Sequence, residues 1–439
     1  MPVGVLQNEL DNVSLQRRSE IMRKIRGVDT TPETSLRRAL WSAGVKGWRL
    51  HSRQLPGKPD LIFTRSKLAV FVDGCFWHGC PQCYRRPNSS NDYWDGKLAK
   101  NIDRDKSNTL KLVEDGWSVL RLWEHEIVSN ISGCVSTVSK ILSLPQLPPG
   151  ILLPVSPVEF RSILLSHGWH SLKPFMVNLS DLHITIPFDL PFGQGIVDMR
   201  TDTNVCLMSV VSGDLNACRH VASSALSLDR NVSKLRSLAT GHWQWISKMQ
   251  MGRFLRSPSL FEDCSKALFA TNTHFTRTVT MSTAATALGN DVGGMNAFPR
   301  PERLLALNED DMRVQLGCGF RAKYLRSLCN RAVERSDVYL GNGWRKMMAN
   351  ELRSELSGLF GFGPSSVDYI SRIYYPNNGY HLDSWVLARC RSMFGIETNE
   401  VDPFIRRRYK KFKDWGSTVM WLELTRHWHD GPPPTPNNY

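Results

Sequence analysis

Between Leu55 and Cys83 the chain reads LPGKPDLIFTRSKLAVFVDGCFWHGCPQC, gathering acid, imidazole and thiol groups into two short expected strands and one turn. Asp60 closes the PGKPD turn where one strand begins, and Asp73 ends the next. Adjacent strand ends can set two carboxylates around one hard cation. Mg²⁺ accepts one or two carboxylates and completes its shell with water and substrate phosphate oxygens. His78 follows closely enough to take a proton from a water held there. Such a set could hydrolyse a phosphodiester, with the cation neutralising developing charge and His78 as general base. Cys75-x4-Cys80-x2-Cys83 adds three thiolates at a spacing suited to structural zinc, and His125, after SVLRLW, is the expected fourth ligand of a Cys3His set.

A second constellation lies far downstream, in LRSELSGLFGFGPSSVDYISRIYYPNNGYHLDSWVLARC. Gly361 and Gly363 break two helical patterns and permit a tight turn whose backbone N–H groups can face a phosphate. Asp383, twenty positions after Gly363, opens a further helical run at Asp-Ser-Trp-Val. A helix-capping aspartate is the plainer use of such a residue.

These groups need scaffolds. Thr31-Pro32-Glu33 offers an N-cap, a proline at the first helical position and an early acid, ahead of Leu36, Ala39, Leu40 and Ala43. WRLHSRQL, DLIFT, LAVFVDG and SVLRLW are rich in strand formers, with a polar helix expected over about 91–114. The order α-β-β-β-α-β predicts a mixed α/β sheet with flanking helices. LSLPQLPPGILLPVSP, residues 142–157, holds five prolines and is expected to be a semi-rigid linker. Residues 158–235 predict short strands and loops. From about residue 258 apolar residues recur at helical spacing, which predicts a mainly α-helical domain with a small antiparallel β-sheet in front.

A chain of 439 residues predicts two or three domains. The ten cysteines, in a chain with no recognisable secretory start, are expected as thiols or metal ligands rather than disulfides. A cytoplasmic location is expected. No run of apolar residues is long enough to span a membrane. The net charge is +14, and residues 17–53 hold ten Lys and Arg. With the aromatic-interleaved RRRYKKFKDW near the C-terminus, this points to a polyanion, nucleic acid, rather than to an anionic membrane. A monomer without a small-molecule cofactor is expected.

PGKPDLIF, VFVDGCFWHGCPQC, YWDGKLAKNIDRD and GWSVLRLWE resemble the very-short-patch-repair (Vsr) endonucleases, over residues 15–141 as the expected domain. The resemblance implies a restriction-endonuclease-like α/β fold, structural Zn²⁺ and Mg²⁺-dependent nicking of mismatched DNA. It implies that Asp60 binds the catalytic metal, that His78 is catalytic, and that Glu33 and Asp105 support them. Phe76, Trp77 and Trp94 would wedge into the duplex. An adjacent pair such as Phe76 and Trp77 cannot both point inward from a regular strand, so at least one is expected at the surface. Asp73 stands where the family often carries His, and could strengthen the metal site or replace a histidine function. His125 stands where a cysteine is usual.

Residues 158–428, within an expected domain of 158–430, resemble the helix-hairpin-helix DNA glycosylases of the 8-oxoguanine branch. LFEDCSKALFATNTHFTRTVTM and FPRPERLLALNEDDMRVQLGCGFRAKYLRSL add to the hairpin and Asp383. The family flips a base from the duplex and cuts its N-glycosidic bond. The resemblance implies that Asp383 is the essential carboxylate and that Asn272, with His274 beside it, fills the gap left by the base. Ser365 stands where strand-cutting members carry lysine, so base release without a cofactor and without strand cleavage is expected. Phe320, Trp385 and Trp421 are base-pocket candidates or, equally, core residues. The reading is a bifunctional DNA-repair enzyme that excises a mispaired, damaged or modified base and nicks the strand nearby. The alternatives are an anti-phage enzyme attacking modified DNA, or a chain in which one domain is a catalytically dead DNA-binding module.

Overall fold

The computed structural model describes residues 28–52, 54–85, 91–202, 205–376, 379–380 and 382–431. The start of the first basic cluster, residues 17–27, lies outside them. The chain divides into two compact units. The first comprises the chain to Val155 with Thr201–Val210 and Asp214–His220; the second comprises Ser156–Arg200, Val211–Gly213 and Val221–Tyr439. Among the described residues no helix is long and apolar enough to cross a membrane.

The first unit is built on a mixed sheet in the order β1-β2-β3-β4-β5-β9. Its strands are β1 (Arg49–Leu50), β2 (Leu61–Phe63), β3 (Leu68–Asp73), β4 (Ser118–Trp123), β5 (Gly150–Leu153) and β9 (Val205–Gly213). β3 and β4 run parallel, with Leu68 opposite Ser118 and Asp73 opposite Trp123. Parallel strands need a crossover, which α2 (Asn91–Glu114) supplies. Alternate residues of paired strands face opposite sides of the sheet. Leu68, Val70, Leu120 and Leu122 therefore pack with Leu36 and Leu40 of α1 (Thr31–Ser42) and Cys134, Val138 and Ile141 of a later helix, Ile131–Leu142. On the other face Ala69, Phe71 and Val119 pack against Leu112 of α2. Asp73 and Arg121 continue that second face toward the strand ends, and there it turns polar.

Two expectations are corrected. Residues 142–157 are not a linker throughout: β5 lies inside them and pairs in parallel with β4, Val119 opposite Ile151. Pro145, Pro148, Pro149 and Pro154 all flank the strand, so none removes a donor from its ladder. The strands of 158–235 do not form one small antiparallel sheet. β6 (Met176–Asn178), β7 (His183–Leu190) and β8 (Gly193–Asp202) are antiparallel neighbours. β9 instead pairs with β5, Leu152 opposite Leu207, because its alternate residues Val205 and Leu207 complete the first unit's apolar core. The helix after it, α5 (Leu215–Ala225), begins in the first unit.

The second unit is mainly helical. Its helices include α6 (Leu260–Ala270), α7 (Phe275–Ala287), α8 (Ala322–Glu334), α9 (Ala349–Ser357), α10 (Pro364–Tyr374), α11 (Ser384–Phe394), α12 (Val401–Tyr409) and α13 (Gly416–Leu424). Val386 and Cys390 of α11 pack with Ile405 and Tyr409 of α12 and with Val419, Met420 and Leu422 of α13. The α9–α10 hairpin turns through Gly361, which has φ +89°. A Cβ there would lie 2.4 Å from Cγ of Tyr324. Gly361→Ala should therefore cost about 2 kcal/mol or more in urea unfolding. Gly363→Ala, at an ordinary φ with open space around it, should cost within about 1 kcal/mol.

Candidate functional site

The first unit's chemistry collects where β3 and β4 end. Asp60, just before β2, accepts a 2.7 Å hydrogen bond from the backbone N–H of Val72 on β3. Burial pushes its carboxyl up to about 7, with Glu33 and Asp73 adding repulsion. His51 links it to a group the sequence reading passed over. Its Nδ1 is 3.8 Å from Asp60, and its Nε2 is 3.5 Å from Asp29 and 3.9 Å from Glu33. Glu33 accepts from the backbone N–H of Asp29 and from the Thr30 hydroxyl, which fixes it at the start of α1. Asp29, Glu33 and His51 lie close enough together to hold a cation.

His78 sits on the turn after β3. Its Nδ1 is 2.5 Å from Asp105 Oδ2 on α2. A carboxylate on one ring nitrogen fixes the tautomer and leaves Nε2 for a water or a phosphate oxygen. The sequence-derived pair Asp60 and His78 thus comes with a positioned partner, Asp105, seen in the sequence only through family resemblance.

Asp73 does something other than expected. Its Oδ1 binds Arg121 Nη2 at 2.6 Å; its Oδ2 binds Arg121 Nε at 2.9 Å and Arg219 Nη1 at 2.7 Å. Burial alone would raise this carboxyl, but the two guanidiniums hold it well below the usual carboxylate range. With both oxygens engaged in a site almost closed to solvent, Asp73 is a structural anion rather than an open Mg²⁺ ligand. No local signal in the sequence pairs residue 73 with residues 121 and 219.

The turn itself is clamped by sulfur. Cys75, Cys80, Cys83 and His125 place one donor each within 4.8 Å of one another, with His125 Nδ1 3.2 Å from Cys75 Sγ. Gly79, at φ +63°, lets the chain double back between the ligands. Hydrogen bonds with Cys75 and Cys80 pull the Cys83 thiol down to about 4, and those with Cys80 and Cys83 push the Cys75 thiol up. Three thiols and an imidazole converging in this way form a donor set able to hold a metal ion.

The aromatics are less exposed than a wedge requires. Phe76 and Trp94 are buried and meet edge to face at 5.4 Å. Trp77, half-buried, is the member of the trio that reaches the surface; Lys97 Nζ stands 5.1 Å over its ring. Packing against one another satisfies two of the three rings within the protein.

This geometry has known counterparts. Residues 10–85 match the family described as DNA mismatch endonuclease Vsr. The Type II nicking enzyme V.NaeI of Lentzea aerocolonigenes is 43% identical over 113 residues, 25% of this chain and 68% of that protein. The Type II nicking enzyme V.NmeDIP of Neisseria meningitidis serogroup C is 36% identical over 131 residues, 29% of this chain and 88% of that protein. The chain belongs to the Vsr endonuclease family. The Escherichia coli (strain K12) DNA mismatch endonuclease Vsr is 37% identical over 109 residues, 24% of this chain and 69% of that protein. Among solved structures, that of MBOgg1 with a low affinity DNA ligand is 18% identical, covering 63% of this chain and 94% of that one at TM-score 0.49. The 3-methyladenine DNA-glycosylase from Archaeoglobus fulgidus is 16% identical, covering 63% and 95% at TM-score 0.48. At those scores the likeness assigns no activity.

In the second unit Asp383 caps α11, its Oδ1 accepting from the backbone N–H of Val386 at 2.8 Å. It is half-buried, and its charge is felt by Arg372, a buried residue of α10. Arg372 lies 5.2 Å over the Trp421 ring and donates to Ser417. Trp385 and Trp421 pack together at 5.4 Å, whereas Phe320 is on the surface. Ser365 is half-buried in the first turn of α10, after Gly361 and Gly363. Asn272 projects from the turn between α6 and α7 at φ +46°, with exposed His274 next to it. A cleft of about 1030 Å³ between α8 and α9 is lined by Arg331, Arg335 and Glu355, not by Asp383. The two arginines both bind Glu355.

Asp60 makes a testable contribution to stability. The unfolded chain loses this proton near 3.8 and the folded chain near 7. Ionisation therefore favours unfolding, and stability should fall as pH rises through that window. Relative to Asp60→Asn, the wild-type protein should lose on the order of 2–4 kcal/mol across it. Urea unfolding at either end of the window, with and without Mg²⁺, measures the loss. Added Mg²⁺ should restore the wild type at the upper end and leave the variant unchanged.

Proposed function

We propose that the first unit is a Mg²⁺-dependent nicking endonuclease for mispaired double-stranded DNA. The observation carrying this reading is the His78–Asp105 pair, 2.5 Å apart, on the turn that leaves β3. In this reading Asp60 holds Mg²⁺ and His78 Nε2 takes a proton from the attacking water. The cation, when bound, stabilises charge on the phosphate. Glu33 and His51 orient the metal side of the site, and Asp105 keeps the His78 ring in place. Zn²⁺ on Cys75, Cys80, Cys83 and His125 fixes the turn that carries His78. Trp77, already at the surface, is the ring best placed to meet an unstacked base step.

For the second unit the reading is base release. Asp383 would stabilise the positively charged sugar of the transition state and orient water, while the Gly361–Gly363 hairpin meets a phosphate. With Ser365 in place of a lysine nucleophile, the product is an abasic site. The nuclease then supplies the strand break that this chemistry lacks. The domain assignment follows: residues 15–141 for the nuclease and 158–430 for the glycosylase, with the nuclease unit also drawing on 201–210 and 214–220. A cytoplasmic, monomeric enzyme acting on nucleoid DNA fits the basic charge of +14.

Two measurements test the reading. On a panel of mispaired and damaged duplexes, Mg²⁺-dependent nicking should fall about 10²- to 10⁴-fold in His78→Ala. Alkali-dependent breaks, reporting base release, should vanish in Asp383→Asn and persist in His78→Ala; nicking lost in both variants would show one activity rather than two. The purified protein should carry one zinc per chain by atomic emission, and Cys80→Ser should lose it.

A further inference from the structure

The turn that carries His78 is gripped by a helix from outside residues 10–85, the stretch that matches the Vsr family. α5 starts at Leu215, after the chain has left the first unit at residue 156 and returned at 201. Its first turns bring two polar side chains to the ends of β3 and β4. Arg219, buried, donates to Asp73 Oδ2 at 2.7 Å and to the carbonyl of Arg121 at 3.0 Å. Its guanidinium stacks 4.6 Å over the ring of Trp123, the last residue of β4. Asn216, also buried, donates to the carbonyl of His78 at 2.6 Å and accepts from Arg219 at 3.3 Å.

The contacts act on one object. Arg219 binds the last residue of β3 and stacks on the last residue of β4, so it staples the two strands where the catalytic turn departs. Asn216 holds the backbone of that turn at His78, whose ring is held by Asp105. A guanidinium taken fully out of water is costly unless every donor finds a partner, and here its position is dictated by Asp73, a strand carbonyl and an aromatic face. We propose that Arg219 and Asn216 are positioning residues of the nuclease centre, supplied by a segment outside residues 10–85, which match the Vsr family. They touch no reacting atom. Their part is to hold His78 in register with Asp60, where a misplacement of about 1 Å costs on the order of 10²-fold in rate.

The inference rests on the nuclease reading above, and both can be tested in the full-length chain. Single-turnover nicking of the mispaired duplex that the wild type cuts best is compared for the wild type, His78→Ala, Arg219→Ala, Arg219→Lys and Asn216→Ala. Arg219→Ala and Asn216→Ala should lower kcat about 10- to 100-fold with KM within about 2-fold of wild type. Bound zinc should stay at one per chain, and Arg219→Lys should recover part of the rate. Asn216→Ala decides the matter if Arg219→Ala unfolds, because it removes one hydrogen bond without removing a buried charge. Wild-type kcat in Asn216→Ala, or a loss confined to KM or to zinc content, would overturn the inference while leaving the nuclease reading intact. A wild type that cuts no mispaired duplex, or a His78→Ala variant that cuts as well as the wild type, would overturn the nuclease reading and the inference with it.

Discussion

The first unit is organised around one buried anion. Asp73 closes β3 with its carboxylate shared between Arg121, on the neighbouring strand, and Arg219, on α5. Breaking such a cluster by removing one partner leaves an uncompensated charge and costs several kcal/mol. That cost ties together three pieces of chain far apart in sequence. It also explains why the polar end of this sheet face can be buried. Arg121 lies over the Phe71 ring and donates to Thr109 of α2 as well, so α2 is bonded to the same cluster as the two strands. His78 lies at its edge, 3.9 Å from Asp73.

Around that cluster the donor groups are separated by type. Soft donors, three thiols and an imidazole, converge at the turn; Asp29 and Glu33 gather with His51 at the start of α1. Thiolate and imidazole donors suit zinc, and carboxylate oxygens suit magnesium. The turn that carries the three clustered thiols also carries His78, whose ring meets Asp105. Phe76 and Trp77 of the same turn pack against Trp94.

Much of this was legible in order along the chain. The strand–turn–cysteine stretch, the helix start at Pro32, the polar crossover helix and the glycine hairpin are local patterns, set by propensity, spacing and turn chemistry within a few residues. They led to Asp60, His78 and the Cys3His donors, and the structure brings each of these to the strand ends or to the common cluster. The misreadings share a cause. β5 hides among prolines because its only local distinction is a run of three apolar residues, and its partners β4 and β9 lie far from it in sequence. β9 reads as a strand, but nothing local says which sheet it joins. Phe76 and Trp94 read as exposed wedges because their mutual contact joins a turn to a helix.

The sequence by itself therefore determined the chemical vocabulary of the protein: a hard-metal acid, a base, a sulfur clamp, a capped carboxylate after a glycine hairpin, and a basic surface suited to DNA. Only the tertiary structure decided which charges meet. Asp73 is a metal ligand or a structural anion according to whether Arg121 and Arg219 reach it, and that depends on a chain excursion of more than forty residues closing back on the first unit. Local patterns encode residue type and period. Long-range ion pairs are fixed by burial and by the cost of leaving a charge unmatched, and neither is visible until the chain is folded.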